Sequence, residues 1–133
     1  MSDAQTLPLR HFSWLQQALI AGQEVALVDV REEAAFATGH PLFAVNLALS
    51  KLELEVLDRI PQRKTAVTLY DNGEFYDAAR GERKTTRAAA LLRALGYQDV
   101  AVLAGDLAGW KEAGGEIFID VNAPGKAFGE WVE

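Results

Sequence analysis

An uninterrupted apolar stretch, Val25-Ala26-Leu27-Val28, is followed directly by the charged stretch Asp29-Val30-Arg31-Glu32. Four apolar residues in a row, with no polar position among them, are typical of a strand that is covered on both faces of a parallel sheet. In open α/β sheets, ligands bind beyond the carboxyl ends of the strands. The sequence therefore predicts a buried strand that ends in a cluster of charged residues at a candidate site.

Outward from this strand, apolar strand-like segments alternate with segments of helical periodicity. Further strands are predicted at residues 44–47, 66–70 and 100–103, and helices at residues 9–21, 32–37, 51–59, 85–95 and 107–113. Short links between alternating strands and helices imply right-handed crossovers and a parallel sheet. We expect an α/β fold with helices on both faces of the sheet.

Length and charge exclude several classes of protein. The 133 residues, half of them hydrophobic, fit one compact domain. No apolar run approaches the roughly 18 residues that a membrane span needs, and residues 1–8 do not resemble a signal peptide. A net charge of −6 argues against a general nucleic-acid binder. We expect a cytoplasmic protein with neither nucleic-acid nor membrane partners.

The chain contains no cysteine and only two histidines, His11 and His40. The absence of cysteine excludes disulfides, thiolate metal sites and cysteine nucleophiles together. Two histidines are too few for a histidine-rich metal centre. The sequence therefore predicts no metal site and no cofactor.

Several short motifs resemble elements of the rhodanese family in their order and spacing. The family's DVRE motif, aromatic residue and GHIPGAIN motif are similar to Asp29-Val30-Arg31-Glu32, Phe36, Gly39-His40 and Ala44-Val45-Asn46. Its later helix and strand are similar to residues 88–103, and its closing GGLxxW…G element to Gly105, Leu107, Trp110 and Gly114. The resemblance covers about residues 9–120 and implies a rhodanese-like α/β fold with a central parallel sheet of about five strands.

The rhodanese resemblance also implies where the family's chemistry would lie. Its catalytic cysteine stands in a CRxGxR loop, where backbone N–H groups at a helix N-terminus lower the pKa of the thiol and hold an anion. Here the corresponding strand leads into Asp71, and the loop is about eight residues longer than usual. Counted back from the following helix without a gap, Ala79 would take the cysteine position instead. Neither residue is a thiol, so the resemblance implies an inactive domain.

Asp71 itself has two interpretations. An aspartate can act as a nucleophile towards phosphate, as in aspartate-dependent phosphatases. These enzymes usually place a second carboxylate two residues later, where this chain has Gly73. Asp71-Asn72-Gly73 is also a good turn sequence, and turn formation is the favoured interpretation.

The segment after Asp71 is rich in charge, and three hypotheses remain open for it. It forms a solvated surface loop, or Phe75 and Tyr76 contact a partner, or the start of the next helix holds an anion. The candidate anion-binding residues are Asn72, Gly73, Arg83, Lys84, Thr85, Thr86 and Arg87. The third hypothesis would make the chain a stand-alone module for anions or small molecules.

Other motif residues receive structural roles. Asp29 and Arg31 are expected to order the loop after the first predicted strand through a mutual ion pair. His40 is expected to bond to backbone within its turn. Trp110 is assigned to the core, with Gly105 beside it in the closing motif, and Trp14 is expected to pack the first helix onto the sheet. Asp106 departs from the family's second glycine, which implies an altered rim of the site.

The C-terminal tail suggests a larger protein. Residues 122–133 resemble the connector that joins an N-terminal rhodanese domain to the next one in tandem sulfurtransferases. We therefore expect a rhodanese-like domain at residues 1–120 and a tail or linker at residues 121–133, leading towards a possible further domain. The implied function is structural or regulatory within a thiosulfate sulfurtransferase, with sibling rhodanese domains as partners. No oligomeric state follows from the sequence.

Overall fold

A computed structural model describes residues 7–41, 43–71, 76–77 and 82–119. Its strands are β1 (Leu9–Arg10), β2 (Val25–Asp29), β3 (Val45–Asn46), β4 (Ala66–Tyr70), β5 (Tyr76–Asp77), β6 (Glu82–Arg83) and β7 (Val100–Leu103). Its α-helices are α1 (Phe12–Ile20), α2 (Glu33–Ala37), α3 (Leu52–Arg59), α4 (Lys84–Ala94) and α5 (Asp106–Glu112). A short 3₁₀ turn, Leu49–Lys51, precedes α3.

Five of these strands form one parallel sheet in the order β1-β7-β4-β2-β3. Along β2 the side chains alternate between the two faces, so that Val28 contributes to one core cluster and Leu27 to the other. Helices α3 and α4 cover the first cluster, and α1 and α5 cover the second. The predicted parallel sheet with helices on both faces is confirmed.

Two predicted element boundaries are wrong. The helix predicted from residue 9 begins at Phe12, because Leu9 and Arg10 pair with β7 as an edge strand. The strand predicted at residues 44–47 is limited to Val45 and Asn46, which pair with the end of β2.

Two regions add detail to what the sequence indicated. Trp14 packs α1 against the edge of the sheet: the residue is 38% exposed, and the guanidinium carbon of Arg10, in edge strand β1, lies 4.4 Å from the centroid of its ring. In the charged segment after Asp71, whose order the sequence left open, β5 and β6 form a short antiparallel pair.

The connection from β7 to α5 is unusually tight. Gly105 has a φ of +76°, and a Cβ added at Gly109 would lie 2.2 Å from the backbone oxygen of Ala104. Only a residue without a side chain allows this approach of helix to loop. The first turn of α5 is therefore held close to the carboxyl end of the sheet.

Substitution of Gly109 by alanine is expected to lower the free energy of unfolding by about 1–3 kcal/mol, because the new methyl group meets backbone that cannot rotate away. Urea denaturation followed by circular dichroism measures this loss. Ala108→Ser, at an exposed position of the same helix, serves as the control and should change stability by no more than about 0.5 kcal/mol. Equal stability of Gly109→Ala and the unmodified chain would contradict the close approach.

No helix within the described ranges is long and apolar enough to cross a membrane.

Candidate functional site

The parallel sheet brings polar residues from four strands to its carboxyl end. Asp29 ends β2, Asn46 ends β3, and Asp71 directly follows β4. Asp106 follows β7 after two connecting residues. This is the edge at which ligands bind in open α/β sheets, and it is where the rhodanese resemblance places the catalytic loop.

Asp29 and Arg31 form the predicted ion pair, and it is buried. Arg31 Nη2 donates to Asp29 Oδ2 at 2.7 Å, while its Nε donates to Oδ1 at 3.0 Å. The same Nη2 donates to the carbonyl oxygen of Gly39 at 2.7 Å. Burial alone would lower the pKa of Arg31, but the hydrogen bonds and negative charge of Asp29 outweigh it, and the net pKa is raised. The pair ties the end of β2 to the loop after α2.

Asn46 completes this loop from the neighbouring strand. Its side-chain amide donates to the carbonyl oxygens of Arg31 at 2.8 Å and Asp29 at 3.2 Å. Each carbonyl therefore has a partner, as buried backbone requires. The rhodanese-like motif around residues 29–46 acts here as a structural unit.

Tyr70 lies beside this ion pair. It stands opposite Asp29 in the register of β2 and β4, and its side chain is fully buried. Its hydroxyl has no hydrogen bond of ordinary geometry to any part of the chain that the structure describes. Burial, together with the negative charge of Asp29, raises the pKa of Tyr70 far above its ordinary value. The guanidinium carbon of Arg31 lies 6.0 Å from the centroid of the Tyr70 ring, so this ring packs beside the ion pair from β4.

His40 bonds to backbone, as predicted. Its backbone N–H and carbonyl oxygen pair with those of Phe118 in an antiparallel bridge. Its Nδ1 lies 2.7 Å from the carbonyl oxygen of Pro41, which only accepts, so this nitrogen carries the proton. The ring stacks on Phe36 at a centroid distance of 3.8 Å. His40 therefore has a structural role, through its backbone bridge, its ring hydrogen bond and its stacking on Phe36.

Asp71, one of the two residues that the rhodanese resemblance places at the family's cysteine position, has its backbone bonded to the start of α5. Its side chain is fully buried, and its backbone N–H donates to Asp106 Oδ1 at 3.1 Å. Its carbonyl oxygen accepts from the backbone N–H of Leu107, also at 3.1 Å. These two hydrogen bonds join the end of β4 to the start of α5. A fully buried carboxylate is not presented to a phosphate ester, which weighs against the nucleophile hypothesis.

The candidate anion-binding residues are only partly placed. Asn72 and Gly73 lie outside the described residues, as do Phe75 and Ala79, and Arg83 is described only through its backbone in β6. Lys84 begins α4, and the Thr85 side chain is buried at its first turn. Lys84 and Arg87 both take part in further interactions. The anion-binding hypothesis therefore stays a prediction. The tail or linker at residues 121–133 also lies outside the described residues and stays a prediction.

Sequence reasoning missed two parts of this edge. It did not assign Tyr70 to the ion pair, although a strand-final aromatic residue facing Asp29 was a usable signal. It noted Asp106 as an altered rim but did not predict the contact with Asp71, which joins residues 35 positions apart. Trp110, assigned to the core, is confirmed there.

Comparisons with known proteins agree with this geometry. The family model described as the rhodanese-like domain matches residues 11–113. None of the curated proteins compared with the chain matches it.

Among solved structures, the thiosulfate sulfurtransferase from Pseudomonas aeruginosa is 53% identical, with a TM-score of 0.78. The match covers 96% of this chain but only 23% of that one, so the chain spans less than a quarter of that protein's length.

More distant structures share the fold. The Alr3790 protein from Anabaena sp. is 24% identical over 84% of this chain and 93% of that chain, with a TM-score of 0.69. The human single-domain sulfurtransferase TSTD1 is 23% identical over 79% of this chain and 96% of that one, with a TM-score of 0.61. From the family match over residues 11–113 and the likeness in structure, the chain belongs to the rhodanese-like domain family.

Proposed function

We propose that this chain is a catalytically silent rhodanese-like domain with a structural or regulatory role inside a larger thiosulfate sulfurtransferase. The observation that carries the proposal is the occupant of the cysteine position. A chain without any cysteine has a buried aspartate there, fixed by two hydrogen bonds to the start of α5. No thiolate can form to accept sulfur from a donor.

The intact frame supports a structural role. The ion pair of Asp29 and Arg31, the bridge of His40 to Phe118 and the packing of Trp110 all hold the rhodanese-like fold together. The domain thus lacks the reacting atom while keeping the architecture. A domain in this state is suited to packing against an active sibling domain rather than to turnover.

The likeness to the P. aeruginosa protein supports the larger context. That protein is a thiosulfate sulfurtransferase, and more than three quarters of its chain lies beyond the matched part. By this likeness, the sulfur-accepting cysteine of the parent protein belongs to another domain. The matched domain would then shape or stabilise the active one.

The isolated chain is expected to show no transfer of sulfur from thiosulfate to cyanide above a heat-treated control, because it has no thiol. In the longer protein, transfer should depend on a cysteine outside the part that corresponds to this chain. Deletion of this domain should lower the stability or the activity of the remainder, and adding the separate domain back should restore part of that loss.

The lack of activity and the structural or regulatory role can be contradicted by different results. Sulfur transfer from thiosulfate to cyanide by the isolated chain would contradict the proposal that the domain is inactive. A deleted protein that is as stable and active as the complete one would overturn the structural or regulatory role. The thiosulfate sulfurtransferase from Pseudomonas aeruginosa named above is a suitable positive control for the assay.

A further inference from the structure

The segment after α5, residues 115–119, connects the last helix to the loop that follows α2, and we call it the strap. The N–H of Gly115 donates to the carbonyl oxygen of Trp110 at 2.9 Å, and Trp110 Nε1 donates to the carbonyl oxygen of Glu116 at 3.0 Å. A Cβ added at Gly115 would overlap the indole of Trp110, so glycine is required there. The start of the strap is therefore fixed to a residue of the core.

The middle and the end of the strap are bonded to the loop after α2. Ile117 packs on the core cluster that contains Trp110, and a Cβ added at Gly39 would lie 3.0 Å from Ile117 Cγ2. The N–H of Phe118 donates to the carbonyl oxygen of His40 at 2.6 Å, and the N–H of His40 donates back at 2.9 Å. The two rings are also in edge contact, with 5.9 Å between their centroids. Backbone bonds, a ring contact and close packing thus join the strap to this loop.

The same loop contacts the buried ion pair at the carboxyl end of the sheet. Arg31 Nη2 donates to the carbonyl oxygen of Gly39, the residue directly before His40 in the bridge, at 2.7 Å. The remaining bonds of the guanidinium go to Asp29, and both side chains are almost completely buried. A displaced Gly39 would remove one acceptor from a buried charged donor, which costs free energy. The position of the loop and the geometry of the ion pair are therefore linked.

We propose that the strap is a conformational link, which couples the chain at residue 119 to the ion pair at the candidate site. The route runs from Phe118 through the bridge to His40 and Gly39, and from there to Arg31. Continuous packing and hydrogen bonds of this kind carry energetic coupling between separate sites. Phe118 and Ile119 are 45% and 54% exposed, so a molecule that covers them acts directly on the strap. The link goes beyond the proposed function, since it would operate in an active or an inactive domain.

A proline substitution in the complete chain tests the link. Phe118→Pro removes the N–H that donates to the carbonyl oxygen of His40. Ile119→Pro is the matched control, because it removes the next N–H, which is not part of the bridge. The reporter is the Nε–H of Arg31, a buried proton bonded to Asp29, whose exchange with deuterium is followed by NMR. The backbone N–H of Leu92, buried in α4 within the other core cluster, reports unfolding of the whole domain.

In Phe118→Pro, exchange of the Arg31 Nε–H is expected to become about tenfold faster or more, relative to exchange at Leu92. The reason is that the loop opens locally, without unfolding of the domain, once the bridge is lost. Ile119→Pro should leave the ratio of the two exchange rates unchanged. Neither reporter depends on sulfur transfer, so this test is independent of the test of the proposed function.

Unchanged exchange of the Arg31 Nε–H in Phe118→Pro would overturn the link. An equal increase at Arg31 and Leu92 would also overturn it, because the effect would then be general unfolding, and so would an equal effect of Ile119→Pro. If Phe118→Pro does not fold, Ile117→Ala provides the comparison, since it loosens the packing on Gly39 and keeps the backbone bonds. Faster exchange at Arg31 alone in that variant supports the link, and no change contradicts it.

Discussion

Substitution of Arg31 by methionine is expected to lower the free energy of unfolding by about 3–5 kcal/mol, because it leaves the buried carboxylate of Asp29 without its cation. Arg31 also donates to the carbonyl oxygen of Gly39, so that oxygen loses a partner as well. Domains of this size are stable by only about 5–15 kcal/mol. Urea denaturation followed by circular dichroism should show a midpoint shifted far towards lower urea, or a chain that no longer folds.

Two further variants test whether the loss of stability in Arg31→Met comes from breaking the buried ion pair. Arg59→Met removes a cation whose partner, Glu55, lies 3.9 Å away on an exposed face of α3, and it should cost no more than about 0.5 kcal/mol. Asp29→Leu/Arg31→Met removes both charges and should be more stable than Arg31→Met alone. If Arg31→Met and Arg59→Met cost the same, the buried ion pair does not have the role assigned to it.

Substitution of Trp110 by alanine is expected to cost about 3–5 kcal/mol, as the loss of a large buried aromatic side chain does in other cores. Its ring packs edge-on against Phe12 at 4.7 Å and Phe43 at 5.6 Å between centroids. Its Nε1 donates to the carbonyl oxygen of Glu116 at 3.0 Å. The substitution thus leaves a cavity under α5 and releases the segment that leads to the His40–Phe118 bridge.

Trp14→Ala is the matched control for this substitution. The same side chain is removed, but Trp14 is 38% exposed and its described ring contact is a cation–π contact with Arg10. The expected loss is about 1 kcal/mol or less. Thermal unfolding should give a much lower Tm for Trp110→Ala than for Trp14→Ala. Similar losses in the two variants would contradict the assignment of Trp110 to the core and of Trp14 to the surface.

The pattern of strands and helices was predictable because it depends on local apolar stretches. Val25–Asp29 and Val100–Leu103 are buried strands in the sequence and in the structure. The edge strand Leu9–Arg10 was not predictable in the same way. It has only two residues, one of them charged, and their conformation is fixed by pairing with a strand more than 90 residues later.

The candidate site was predictable in composition but not in its contacts. The absence of cysteine can be read directly from the composition. The ion pair of Asp29 with Arg31 joins two residues of one short motif, so the sequence alone was enough to predict it. The hydrogen bond of Asp71 to Asp106 depends on the sheet order and on a left-handed backbone at residue 106. Neither property can be predicted from a local sequence pattern. The aspartate that follows Gly105 in the closing motif indicated only that the rim of the site differs from that of the family.

The most direct test of the silent domain is the mass of the intact chain after incubation with thiosulfate. The thiosulfate sulfurtransferase from Pseudomonas aeruginosa, treated in parallel, is the positive control. If residue 71 cannot accept sulfur, the mass of this chain stays unchanged at every thiosulfate concentration. A stoichiometric gain of one sulfur atom per chain would contradict the account, because it would reveal an acceptor other than cysteine.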